Sequence, residues 1–216
     1  MAQRQNASLG VAASLCLSVV ATSCSVSECQ REVEAAYQKL ETSGYRMETM
    51  SVVSTHRTSH LTVEFAPPDR MRIVDSGIIG PELEGIKIGN RAWFRMEGPW
   101  REQPDGLGLF TIFKSGPDGM TFACLGPVAL AGKTHAGYRG RGGNPKPAMH
   151  SMVPREIALE IESERRERPQ LLHTVLVDRD TGLLAYEILA PENELDRPKI
   201  RTHYAYDHIT IEPPTR

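Results

Sequence analysis

The chain has 216 residues, a formal net charge of −2 and 40% hydrophobic residues, enough for one domain with a real core. The near balance of charge excludes a global basic field for nucleic acid. Its 15 prolines and 18 glycines suit many short strands and turns better than a helical bundle.

Residues 1–5 carry one cation, Arg4, and residues 9–20 form an uncharged run of apolar and small side chains, followed by Ala21, Thr22 and Ser23. This is the layout of a secretory signal peptide. The run is shorter than the about 20 apolar residues that span a bilayer, and an uncleaved anchor is the alternative. The expected organisation is a signal segment at 1–27 and one domain at 28–216, exported to the periplasm. Two cleavage readings stand. Ala21-Thr22-Ser23-Cys24 resembles a lipobox, which makes Cys24 a lipidation candidate, although Ala21 stands where Leu is usual. Ordinary cleavage nearby, for instance before Glu28, is the other. A lipid on Cys24 would be the protein's only membrane contact.

Cys16 lies in the signal segment and Cys24 at its end, so Cys29 and Cys124 remain for the body. In an exported protein two such cysteines read as one disulfide; two free buried thiols are the alternative. Neither has a CxxC partner or a histidine at ligand spacing, which argues against a metal.

One helix is predicted, over 27–43. Ser27 and Gln30 have capping-box spacing, Glu28 and Lys39 suit the helix dipole, and Gly44 stops it. Cys29, Val33, Ala36, Tyr37 and Leu40 share one face, so Cys29 points into the body, where a bond to Cys124 would staple the helix down. After Gly44 the period becomes two. Leu61, Val63 and Phe65 alternate with polar residues, Pro67-Pro68-Asp69 turns the chain, and Met71 and Ile73 continue on the far side. Ile86 and Ile88 lead through Gly89-Asn90 into 91–96, a tight hairpin. Strands at 172–177 and 183–189 flank a second turn, 178–182. Ile157, Leu159 and Ile161 mark a further strand, and 200–211 a last one with Tyr204 and Tyr206 on one side. Sequential antiparallel strands with few crossover helices make a meander. Two segments interrupt it: an apolar stretch at 104–114, readable as a short helix beginning at Pro104 despite Gly106 and Gly108, and a Gly- and Pro-rich loop at 140–154.

This order of parts resembles the LolA-like superfamily of outer-membrane lipoprotein carriers and related periplasmic proteins, closest to its uncharacterised members. The resemblance rests on the cysteine-bearing helix, Phe65-Ala66-Pro67-Pro68-Asp69-Arg70, Gly89-Asn90-Arg91-Ala92-Trp93, Trp100 after Gly98-Pro99, Cys124-Leu125-Gly126-Pro127 with Gly132-Lys133, and Val177-Asp178 with Thr181-Gly182-Leu183. It covers most of the body and consists of turn and strand signatures. It implies a mainly β, α+β fold: an incomplete antiparallel half-barrel with helices over its opening and an apolar cavity for acyl chains. Leu107, Leu109, Phe110, Ile112 and Phe113 are then candidates for a lid, and Trp93 and Phe94 for the cavity wall. No binding residue of the family can be placed here by position. The partner implied is a lipid or lipidated protein; the alternative is a non-enzymatic docking module for another envelope protein, its core filled by side chains.

Catalytic signatures are missing. His56, His60, His135, His150, His173, His203 and His208 are scattered without HExxH and read as exposed strand or loop residues. No GxSxG elbow or local Cys–His pairing occurs. The run at 160–168 reads as a charge-paired strand edge, and Gly140, Gly142 and Gly143 lack the Lys-Ser/Thr of a phosphate loop. No enzyme activity and no cofactor are expected.

Overall fold

The helical spacing of apolar residues after Ser25 becomes α1 (Val26–Thr42), whose buried side chains are Cys29, Val33, Ala36, Tyr37 and Leu40, the face predicted. Its start differs from expectation. Ser25 is the N-cap, with no side-chain capping bond, so Ser27 and Gln30 form no capping box. Gln30 instead donates to Glu34 at 2.8 Å and accepts the Phe122 amide at 3.0 Å. The computed structural model describes residues 25–54, 57–76, 81–103, 119–141, 171–192 and 197–215. The signal segment with Cys24, the apolar stretch 104–114, all but the start of the 140–154 loop, the strand expected near Ile157 and the 160–168 run lie outside them.

Eleven strands follow among the described residues: β1 (Tyr45–Ser54), β2 (Arg57–Ala66), β3 (Arg70–Ser76), β4 (Leu83–Ile88), β5 (Arg91–Arg95), β6 (Arg101–Gln103), β7 (Thr121–Leu130), β8 (Lys133–Arg141), β9 (Leu171–Asp178), β10 (Leu184–Pro191) and β11 (Ile200–Ala205). They form one antiparallel sheet in the order β6-β5-β4-β3-β2-β1-β11-β10-β9-β8-β7. It is two meanders, each of sequential neighbours, joined where β1 pairs β11 over Arg46 to Ser51. Among the described residues its edges are β6 and β7, so it is an open half-barrel and not a closed one.

The face against α1, here the inner face, carries the main core: Tyr45, Met47, Val63, Ile73, Leu83, Phe94, Phe122, Tyr138, Val175, Val177, Leu184 and Tyr204 with the helix residues. Strand alternation puts their neighbours on the outer face. There a smaller cluster gathers Ile86, Trp93 and Ile211. Ile211 reaches it because β11 ends at Ala205, short of the strand expected to run to 211. The irregular tail crosses to the outer face of β3–β5, where Arg70 donates to the Ile211 carbonyl at 2.8 Å.

Helix α1 is fastened by more than apolar contact. Cys29 and Cys124 form the expected disulfide, with Cα atoms 5.4 Å apart. Tyr138 donates to Glu32 at 2.6 Å. Lys39 donates to the Thr181 carbonyl at 2.9 Å, beside Gly182. That glycine has φ +65°, a backbone conformation that glycine adopts without strain, while a Cβ there would only displace the flexible end of Lys39, 2.6 Å away. The helix also covers part of the β7 edge, since Gln30 takes an amide that would otherwise offer itself to a passing strand.

Candidate functional site

The inner face divides in two. Helix α1 packs chiefly on β7, and also on β9 and β10, so it seals the half built from the second meander. The first meander places Val63, Ile73, Leu83 and Phe94 on the same face, farther along the sheet from the helix. Register aligns them: Val63 faces Ile73, Ile73 faces Gly85, Gly85 faces Phe94, and Phe94 faces Arg101. At this end lies a groove of about 390 Å³, lined by Leu83, Phe94, Met96, Pro99, Arg101 and Gln103 among others. Its lining combines these aliphatic and aromatic side chains with the charged Arg95, Glu97 and Arg101.

A polar band interrupts the inner face. Glu187 pairs in register with Thr202, and Thr202 with Thr49, whose hydroxyls lie 2.9 Å apart. Farther along, Ser59 bonds Asp75 at 3.2 Å. Glu187 is the centre of the band. It is buried and accepts hydrogen bonds from Tyr37 of α1 and, at 2.5 Å, from Tyr204; His173 Nε2 lies 3.3 Å from it. Burial alone would raise its pKa, but nearby His173 and the hydroxyl bonds of Tyr204 and Tyr37 outweigh that and hold it below the ordinary carboxylate range. The same contact, added to burial, pushes Tyr37 well up, and burial carries Tyr45 to about 12. Such a network ties the helix to the sheet. A carboxylate enclosed by its own partners is an anchor rather than a group presented to a substrate.

Trp93 and Phe94 are sequence neighbours on opposite faces. Phe94 lines the groove. Trp93 packs on the outer face with Ile86 and Ile211, under the Arg91 guanidinium at 4.7 Å from its ring, so no place in the cavity falls to it. Leu107, Leu109, Phe110, Ile112 and Phe113 lie outside the described residues. Two histidines correct the expectation of exposure: His135 and His173 are 3% and 9% exposed. Sequence reasoning passed over Glu187, although a carboxylate inside the apolar strand of residues 183–189 is the signal that marks it, since buried charge needs partners.

No family model matches this sequence, and no curated protein matches it either. Solved structures do. LprF from Mycobacterium bovis superposes with a TM-score of 0.52 at 11% identity, over 88% of this chain and 98% of that one. The Mycobacterium tuberculosis lipoprotein LppX gives 0.47 at 12% identity, over 84% and 95%. MucB gives 0.45 at 13% identity over 87% of this chain, which spans 60% of that structure's length. The likeness to LprF shows the fold alone, an open antiparallel half-barrel with a helix against its inner face.

Proposed function

We propose that this chain is an exported envelope protein that holds an apolar ligand, a lipid or the acyl chains of a lipidated client, against the inner face of its half-barrel. The observation that carries this reading is the groove at β4–β6, with Leu83, Phe94 and Arg101 in its lining, on the part of the inner face away from the main contacts of α1. The physical driving force is simple, since each CH₂ withdrawn from water contributes about 0.8 kcal/mol. Apolar contacts are non-directional, so release needs only a better acceptor or a moved cover. Phe94 is the proposed wall residue, and Leu107, Leu109, Phe110, Ile112 and Phe113 the proposed cover. The signal segment and the lipidation of Cys24 belong to the same proposal. Lipid extracted from protein purified without detergent, identified by mass spectrometry, tests it: a stoichiometric acyl lipid is expected, and a consistently empty protein refutes it.

A second reading, docking of another envelope protein, has one observation in its favour. Beneath α1 the inner face is filled by the protein's own side chains, with Val33, Phe122, Val175 and Leu184 all fully buried. Co-purification of a stoichiometric protein without lipid would favour it.

A further inference from the structure

The outer face holds a feature that lipid carriage does not use. β10 and β11 pair from Tyr186 and His203 onward, and β10 has a register shift between Leu184 and Tyr186. Beside this irregularity lies a pocket of about 290 Å³, whose lining includes Leu130, Lys133, His135, Leu183, Tyr186 and His203. These side chains belong to the outer face, because their strand neighbours Ala136, Glu187 and Tyr204 pack on the inner one.

His135 is the unusual member. It is 3% exposed, and neither ring nitrogen has a hydrogen-bond partner among the described residues. A buried polar group without a partner costs free energy that folded proteins seldom bear without a use. An imidazole offers at least one N–H donor to whatever fills the space. Its neighbours complete a recognisable chemistry. Tyr186 stands edge-on to His135 at 5.6 Å and lies against the His203 ring at 4.8 Å, so aromatic surface forms one wall. Among the described residues no three His, Cys, Asp or Glu side chains gather here to hold a metal ion. Lys133 brings an ammonium to the rim, held 3.1 Å from Asp178. Asp178 is already saturated: its other oxygen accepts the amides of Asp180 and Thr181 and the Thr181 hydroxyl. Lys133 keeps donors to spare for a second anion.

We propose that this pocket is a second binding site, for a small aromatic carboxylate. The carboxylate would lie between the Lys133 ammonium and the His135 ring, and the aromatic body against Tyr186, Leu130 and Leu183. A cavity of about 150 Å³ is known to take a benzene ring, so the space admits a ring with its acid group. It is at the low end for ligand pockets, about 300 Å³.

The test uses the full chain with benzoate as probe, beside benzamide as neutral isostere and inorganic phosphate, read by NMR of the histidine ring nitrogens. Saturable movement of the His135 and His203 signals by benzoate is expected, with benzamide and phosphate each roughly tenfold weaker. His135→Leu should abolish the movement of the His203 signal. Lys133→Met, an exposed change that leaves the core untouched, should weaken it roughly tenfold while the melting temperature holds. Unmoved ring signals in the wild type, equal binding by Lys133→Met, or phosphate binding as tight as benzoate would each overturn the proposal.

Discussion

Removing the Cys29–Cys124 bond should destabilise the domain by an amount that its loop dictates. The two cysteines are 95 residues apart in sequence, and closing a loop of that length in the unfolded chain removes entropy equivalent to about 4–5 kcal/mol at 25 °C. For a domain of this size each kcal/mol moves the melting temperature by about 2–4 °C, so the shift should be about 10–20 °C. The perturbation is the double variant Cys29→Ala/Cys124→Ala, since serine at the buried Cys29 position would add an unpaired hydroxyl to the loss. Calorimetry gives the midpoint, and thiol titration of unfolded protein before and after reduction should reveal two additional thiols. The fastening does not rest on sulfur alone. Tyr37, Glu32, Lys39 and Gln30 also tie α1 to the sheet, so the reduced protein should keep its strand content and still unfold cooperatively. A midpoint unchanged by the double variant, or no thiols released by reductant, would show that no such bond constrains the unfolded chain.

Other predictions concern the buried carboxylate and the groove. Tyr37→Phe removes one donor to Glu187 and should cost about 1–3 kcal/mol, measured by urea unfolding; a neutral result would mean that the network does not anchor the helix. Because the pKa of Glu187 is lowered on folding, its contribution is present above the unfolded value of about 4.3 and is lost as pH falls through the folded one. The stability gap between wild type and Glu187→Gln should therefore narrow below about pH 4, and a gap constant across an acid titration would contradict this. Phe94→Glu sets a charge in the groove wall and should remove co-purifying lipid while leaving the disulfide formed; retained lipid would place the ligand elsewhere.

Much of the fold was legible because its signals are local. The helix face from Cys29 to Leu40 follows from 3.6-residue periodicity, and the turns at Gly89-Asn90 and 178–182 from residues that favour them. The start of α1 was not, because Ser25 and Ser27 are both acceptable N-caps and packing decides between them. The pairing of β1 with β11 was not legible either, since it joins segments about as distant in sequence as the described chain allows, and no local pattern encodes such a register. Phe94 and Trp93 show the same limit at one position: adjacent aromatics suit either face, and only the register with Gly85 and Ile86 assigns them. The burial of His135 and His173 is not legible in the sequence, because it depends on neighbours that are strands away.

The ligand proposed for this protein is an acyl chain on the inner face at the β4–β6 end. Photo-crosslinking of the full chain with a diazirine fatty acid, followed by peptide mapping, addresses it most directly. Adducts on the peptides that carry Leu83, Phe94 and Met96, competed away by unlabelled fatty acid, are the predicted result. Adducts confined to the outer face around Trp93 and Ile211, or no competable adducts at all, would contradict it.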